Sequence, residues 1–456
     1  MSTLPTALLS SLKGLPGYDE QAFTQVHASG RKITSVRINP AKAFDVHEHS
    51  FDVESKIPWT SNGYYLKQRP SFTLDPLLHA GAYYVQEASS MFLEQALRQT
   101  ADMSQSLKVL DLCAAPGGKS TLIQSVISNE SLLISNEVIK TRANILAENI
   151  TKWGAENVVV TNNDPKDFAK LENYFDIIVI DAPCSGSGLF RRDADAIGEW
   201  SEANVQLCSQ RQQRIIADVL PALKQGGILI YSTCSYSKDE DEAIADWMID
   251  EFNMKSLQLA TEPEWNIVEA LSDKHKAYGY RFYPDKVKGE GLFIACMEKQ
   301  ESDGGEVAFP KKSKLEKLSK SEIAIAEKWI RDDAGISILK WKELALALPS
   351  HFVQDIDLLQ QSLYIKQAGV ALGQITPKEL IPEHSLAVSN LLSNNIPVVD
   401  VTLDEALQYL RKADFKLDSD GKGWTVLQYK SRNLGFIKLL QNRLNNYYPK
   451  EWRILK

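Results

Sequence analysis

Two apolar runs in this sequence each end in a cysteine set among small, polar residues. Ile177-Ile178-Val179-Ile180 leads into Asp181-Ala182-Pro183-Cys184-Ser185-Gly186, and Ile228-Leu229-Ile230-Tyr231 leads into Ser232-Thr233-Cys234-Ser235. A lone cysteine is ordinarily a small buried hydrophobe, but two at the polar ends of strands are placed for chemistry. A thiolate that adds to C6 of a pyrimidine makes C5, otherwise a poor nucleophile, able to attack an electrophilic methyl group. The thiol needs help, because an ordinary cysteine of pKa about 8.5 stays mostly protonated near neutrality. Asp181 could meet the N3 and N4 edge of a cytosine and balance the developing charge. After transfer a base must remove the C5 proton, and the second cysteine is a candidate for that step. The candidate catalytic residues are therefore Cys234, Cys184 and Asp181.

A third apolar run, residues 107–112, ends in a loop of Cys113, Ala114, Ala115, Pro116, Gly117, Gly118 and Lys119. Small residues and two glycines let backbone approach a ligand, and a helix N-terminus behind them offers free amides. A phosphate-cradling P-loop needs glycine where Cys113 stands, and the dinucleotide pattern G-x-G-x-x-G is absent. A nucleoside cofactor without a polyphosphate fits better. Glu137, after the second strand, is placed to accept from ribose hydroxyls. Asp164, after the third, could address an adenine amino group. The five cysteines are scattered, odd in number and never spaced C-x-x-C, which excludes a disulfide framework and a structural zinc site. No metal is expected.

The elements that must hold these loops follow from periodicity. Strands are expected at 107–112, 132–134, 158–160, 177–180 and 228–231, with a closing pair near 252–259 and 291–297. Between the second and third, Ile139, Ala143, Leu146, Ile150 and Trp153 fall on one helical face. Strands alternating with helices give an α/β, Rossmann-like, mostly parallel seven-stranded sheet. In such a sheet ligands bind beyond the carboxyl ends of the strands. The expected domains are an N-terminal module at 1–85, a catalytic domain at 86–300, a linker and extension at 301–380, and a β-rich module at 381–456.

A 456-residue chain that is 44% hydrophobic and 24% charged has ample material for a core. It carries no apolar stretch long enough for a membrane span and no signal-peptide pattern, so a cytoplasmic protein is expected. The net charge of −8 is unsuited to a general polyanion binder. Residues 421–456, however, hold eight Lys and Arg against Glu451 alone, interleaved with Trp424, Tyr429, Phe436, Tyr447, Tyr448 and Trp452. A basic, aromatic tail on an acidic body points to a localised anionic partner. Arg191, Arg192, Arg211 and Arg214 are further candidates for guiding phosphates.

Cys-Ala-Ala-Pro-Gly-Gly-Lys at 113–119, Asp-Ala-Pro-Cys-Ser-Gly at 181–186 and Ser-Thr-Cys-Ser at 232–235 resemble, in that order, the signature motifs of the RNA cytosine-C5 methyltransferases, the NOL/NOP/Sun family. Ser35-Val36-Arg37-Ile38-Asn39-Pro40 and Gln86-Glu87-Ala88-Ser89-Ser90-Met91 are similar to that family's N-terminal module and the start of its catalytic domain. The C-terminus is similar to a bacterial branch acting on small-subunit ribosomal RNA, in which a PUA-like RNA-binding module follows the catalytic domain. The resemblance implies S-adenosylmethionine as cofactor, Cys234 as nucleophile, Cys184 as helper in product release, and cofactor contacts from 113–119, Glu137, Asp164 and Asp181. It also implies an RNA partner, with the protein expected as a monomer. The alternative is a catalytically silent RNA-binding ribosome-assembly factor on the same fold, against which the intact cysteine pair and glycine loop argue.

Overall fold

The computed structural model describes residues 4–46, 51–301, 304–305, 307–332, 335–417, 421–441 and 443–455. Its centre is a mixed sheet of ten strands: β1 (Lys108–Asp111), β2 (Leu132–Asn136), β3 (Val158–Thr161), β4 (Phe175–Asp181), β5 (Leu223–Thr233), β6 (Lys255–Leu257), β7 (Val268–Leu271), β8 (Tyr278–Phe282), β9 (Leu292–Glu298) and β10 (Ile365–Ala368). The spatial order is β7-β8-β9-β5-β4-β1-β2-β3-β10, with β6 also on β9. The five strands β1 to β5 are parallel to one another. The chain order reverses between β1 and β4, which opens a crevice at their carboxyl ends.

Period-two alternation explains why this sheet is buried on both faces. Leu110, Ile134, Val159, Ile178, Ile180, Leu229 and Tyr231 face one apolar layer. Val109, Leu133, Val160, Ile177, Val179, Ile228 and Ile230 face the other. Each such aliphatic side chain contributes roughly 1.5–3 kcal/mol on burial. The first layer is closed by α3 (Glu202–Val219) and α4 (Glu242–Phe252), the second by α1 (Gly118–Val126) and α2 (Lys140–Trp153). Ala143, Leu146, Ile150 and Trp153 of α2 are buried as its periodicity predicts. Ile139 is not: it caps the helix in extended conformation and is 49% exposed.

Seven strands were expected and ten are present. The additions are the hairpin β7–β8, whose residues mix apolar and polar types, and β10, which arrives from the C-terminal extension. β10 pairs antiparallel with β3 and so covers a parallel edge that would otherwise present unpaired backbone groups. The extension is therefore part of the catalytic body. Leu346, Leu348, Phe352, Ile356 and Leu359 pack into the same layer as α3 and α4. Of the expected linker and extension at 301–380, Ser302, Asp303, Glu306, Asp333 and Ala334 lie outside the described residues, while Leu315 and Leu318 are buried. A five-stranded antiparallel sheet runs from Glu316–Lys317 to Leu380–Pro382, and a mixed four-stranded sheet starts at Val398–Asp400, which pairs parallel with its neighbour.

The N-terminal segment forms an antiparallel four-stranded sheet ending at Tyr83–Val85. Its buried Arg37 reaches α1, donating to Gln86 Oε1 (2.8 Å), Thr121 Oγ1 (2.6 Å) and Ser125 Oγ (3.0 Å), and lies 4.7 Å over the Trp153 ring. Burial pushes this guanidinium down to about 9. At a second seam, N-terminal, catalytic and C-terminal segments meet. Lys42 Nζ donates to Ala80 O (2.8 Å) and Lys152 O (2.6 Å), and Arg432 Nε donates to Lys42 O (3.2 Å). Among the described residues no helix is long and apolar enough to cross a membrane.

Candidate active site

Both cysteine loops leave the carboxyl ends of neighbouring parallel strands, β4 and β5, where Asp181 pairs in register with Ser232. That register brings Cys184 Sγ and Cys234 Sγ to 2.8 Å, with both thiols free. The loops interlock through backbone: Gly188 N donates to Cys234 O at 2.7 Å. A Cβ at Gly188 would stand 2.6 Å from that carbonyl, so only glycine permits the approach. Behind the cysteines, Glu240 accepts from Ser185 N (2.8 Å), Ser185 Oγ (2.5 Å), Ser235 Oγ (2.6 Å) and Gln212 Nε2 (3.1 Å).

The two sulfurs open into a cavity of about 420 Å³. Cys113, Ala115, Glu137, Asp164, Asp181, Cys184 and Cys234 all line it, so residues from five strand ends share one space. Ala114, Pro116, Gly117, Gly118 and Lys119 do not line it. Gly117 holds φ +117° at the start of α1, a left-handed conformation that favours glycine. Lys119 instead reaches behind the wall to Asp181 Oδ2 at 2.8 Å, and Ser232 Oγ donates to Asp181 Oδ1 at 3.0 Å. Glu137 is buried, accepts from Ile139 N (2.9 Å) and lies 3.4 Å from Arg142. Exposed Val138 and Ile139 form an apolar rim beside it. Asp164 accepts from Lys166 N at 3.3 Å and faces Arg214 at 4.0 Å.

Burial and charge divide the ionisable groups. Desolvation pushes Asp111 up to about 7 against its bond from Ser120 Oγ (2.6 Å). Burial opposes the charge on Lys119, but Asp181, Asp111 and Cys234 together hold it above its usual range. The Cys184 thiol is raised well above normal by its hydrogen bond with Cys234, by burial, and by the fields of Cys234 and Glu240. Burial raises the Cys113 thiol too, so among these cysteines it is suited to lining rather than attack.

Several residues that build this site carry no sequence signal. Asn136 knits three strand ends, donating to Leu112 O (3.1 Å) and Asn163 O (3.0 Å) while accepting from Asn163 N (3.0 Å) and Thr161 Oγ1 (2.9 Å). Glu240, Asp241 and Glu242 are three consecutive acidic residues, and all three are buried. Arg281 of β8 answers two of them, donating to Glu242 Oε1 at 2.6 Å and lying 3.3 Å from Asp241. Arg191 is a correction. Its side chain is 5% exposed, pairs with Glu290 at 3.3 Å and donates to Gly289 O, so it is spent inside the protein. Arg211 and Arg214 stand at the cavity wall with exposed side chains. In the basic tail, Phe436 and Tyr448 are core residues, while Trp424 and Tyr447 pack at 4.4 Å near the surface. Lys456 lies outside the described residues.

Comparison with known proteins adds an independent line. Residues 99–298 match the family described as 16S rRNA methyltransferase RsmB/F. Residues 4–88 match the N-terminal domain of 16S rRNA methyltransferase RsmF, and residues 396–454 match the methyltransferase RsmF PUA domain. The ribosomal RNA small subunit methyltransferase F of Shewanella piezotolerans is 30% identical over 412 residues, covering 87% of this chain and 84% of that one. Its namesake in Aliivibrio salmonicida is 28% identical over 436 residues, covering 91% and 90%. Among solved structures, a methyltransferase homolog from Pyrococcus horikoshii superposes with a TM-score of 0.52 at 28% identity, over 65% of this chain and all of that one. NSun6 from the same organism, solved with SFG, superposes at 0.55 and 19% identity over 66% and 99%, a likeness of fold.

Proposed function

This chain belongs to the ribosomal RNA small subunit methyltransferase F family, and on that premise we propose that it transfers the methyl group of S-adenosylmethionine to C5 of a cytosine in small-subunit ribosomal RNA. The observation that carries this reading is the thiol pair, 2.8 Å apart, in one cavity with Glu137, Asp164 and Asp181. A pair of thiols has no use in methylating nitrogen or a hydroxyl. It has one in activating a carbon that is not itself nucleophilic.

The cavity suits a nucleoside cofactor. Its volume falls among those of small-molecule sites, roughly 300–1,000 Å³. Glu137 offers acceptors to a ribose, Val138 and Ile139 offer apolar surface to a base, and Asp164 offers an acceptor at the far side. Bound S-adenosylmethionine supplies the electrophilic methyl group. Cys234 forms the bond to C6 of the cytosine, and Asp181, held by Lys119 and Ser232, faces the N3 and N4 edge. While Cys234 is bonded to C6, Cys184 gives its proton to solvent and, as the thiolate, receives the C5 proton; the Cys234–C6 bond then breaks, Cys234 leaves as the thiolate and Cys184 is again the thiol. Arg211 and Arg214 line the approach for the RNA backbone, and a target base in a helix would be flipped out to reach the sulfurs. The reading includes a cytoplasmic monomer.

The test is to map 5-methylcytosine in small-subunit ribosomal RNA with and without the gene, then to restore variants. Wild type should restore one site. Cys234→Ala should lower transfer by on the order of 10⁴-fold or more. Cys184→Ala should trap a covalent protein–RNA adduct that the double variant does not form. Restoration by Cys234→Ala would remove it as nucleophile, and an adduct that survives its loss would reverse the two roles. RNA binding without any methylation would favour the silent assembly factor.

A further inference from the structure

One side chain organises the wall behind both cysteines. Glu240 is fully buried, ends the turn Lys238–Glu240, and has its backbone pinned to β5 by Tyr231 O–H donating to Glu240 O at 2.7 Å. Its carboxylate accepts four hydrogen bonds, from Ser185 N, Ser185 Oγ, Ser235 Oγ and Gln212 Nε2. Ser185 and Ser235 are the residues directly after Cys184 and Cys234, so one carboxylate sets both turns. Gln212 extends the hold by donating also to Pro183 O at 3.1 Å, just before Cys184. Burial raises this carboxyl above its usual range, but four donors aimed at two oxygens oppose that and suit the ionised form, which accepts only. Every one of those donors is neutral, and the nearby Arg281 is engaged by Glu242 and Asp241.

We propose that Glu240 is the positioning residue of the thiol pair. It fixes the separation of the two cysteine turns and, by its charge, keeps the pair's proton on Cys184, so that Cys234 is the sulfur that attacks. The proposal rests on the reading of Cys234 as nucleophile given above. Its basis is an asymmetry of charge: the Glu240 anion acts on Cys184, while the Lys119 ammonium, paired with Asp181, interacts with Cys234. A buried anion at one sulfur and a cation at the other bias a shared proton in a single direction.

The experiment compares Glu240→Gln, Ser185→Ala and Ser235→Ala in the full-length protein. Each is treated with iodoacetamide, and carboxamidomethylation of Cys184 and Cys234 is timed by peptide mass spectrometry beside steady-state methyl transfer. In wild type Cys234 should react faster. Glu240→Gln should cut that preference about tenfold, the size of one unit of proton affinity. It should also lower kcat by on the order of 10²-fold while KM for S-adenosylmethionine stays within about twofold. Each serine variant removes a tether and leaves the charge, so kcat should fall with the alkylation preference kept. The idea is overturned if Glu240→Gln leaves both readouts at wild-type values, or if a serine variant abolishes the preference as fully as Glu240→Gln. Should Glu240→Gln fail to fold, the serine pair decides on the tethers alone. If wild type does not methylate cytosine, the nucleophile reading fails, and the alkylation preference still reports on Glu240 separately.

Discussion

At the cleft, carboxylates converge: Glu137, Asp164 and Asp181 line one cavity with two thiols, and Asp111 and Glu240 are buried behind its wall. At the three-way seam, cations converge. Lys42 collects Ala80 O and Lys152 O, Lys412 collects Asn446 O (3.0 Å) and Tyr448 O (2.6 Å), and Arg432 collects Lys42 O. His79 and His384 sit among them. Both regions bury charge where distant segments meet, and they differ in what the charge faces. In the cleft the lining carboxylates face a cavity, with bonding capacity left for a ligand. At the seam the charge faces the backbone carbonyls of neighbouring elements and is used up in joining them. Polar burial with a vacancy beside it reads as function, and polar burial without one reads as cohesion.

The sharpest way to break that contrast is Lys119→Met. Lys119 serves Asp181 from behind the cavity wall, so its loss leaves a carboxylate unpaired beside the reacting atoms. Methyl transfer should fall by about 10²-fold, as for loss of an electrostatic partner in a preorganised site. The unfolding midpoint in urea should move little, because Asp181 keeps the bond from Ser232 and is partly exposed. A variant that loses stability as steeply as activity would place Lys119 with the seam rather than the cleft.

The cleft was far more legible in the sequence than the seam, for a physical reason. Strand-end chemistry is local: an apolar run, a small-residue turn and a cysteine are contiguous, and the parallel register then brings Cys184 to Cys234. Glu240 was hidden because its burial depends on Ser185, in sequence 55 residues away. Asn136 was hidden because a strand-end asparagine looks like any turn residue. The strand β10 and the burial of Arg191 depend on pairings across more than 90 residues, which no window of periodicity samples. The seam is wholly of that kind. Lys42, His384 and Arg432 are unremarkable in sequence and acquire meaning only from the carbonyls and rings that surround them.

Lys42→Met probes the seam in the complementary direction. Two buried carbonyls lose their donor, and an unmet buried polar group costs about 1–3 kcal/mol. Stability should therefore fall by about 2–4 kcal/mol, read from urea unfolding followed by circular dichroism. Transfer per folded molecule should stay within about twofold of wild type at a temperature where the variant is folded. Burial and the neighbouring Arg432 push the Lys42 ammonium down to about 7. The neutral amine still has two N–H donors for the two carbonyls, so the join survives deprotonation. Activity lost in step with Lys119→Met would show that the seam shapes the cleft.

The smallest effect, and the one that separates the regions most cleanly, is the sign of their response to pH. Asp111 is raised by burial from 3.8 to about 7. Its folded pKa lies above its unfolded one, so its contribution is fully present below about 4 and is lost as pH rises toward 7. His384 is lowered from 6.5 to about 3, by burial and then by Lys152, Lys42, His79 and Lys412. Its folded pKa lies below its unfolded one, so its contribution is present above 6.5 and is lost as pH falls. Between pH 4 and 6.5 the cleft and the seam therefore pull stability in opposite directions, each by roughly 1 kcal/mol per pH unit at most. Asp111→Asn keeps an acceptor for Ser120 and removes the first slope, so its stability should climb with pH more steeply than wild type. His384→Leu removes a buried ring whose nitrogens have no hydrogen-bond partner, and with it the second slope. With His79, lowered by burial to about 4, still contributing, its stability should climb less steeply with pH than wild type through the same window. Urea midpoints at pH 4, 5 and 6 decide the matter: the two variants must diverge from wild type with opposite sign. Parallel curves would mean that the two regions do not titrate independently, and the division between cleft and seam would fail.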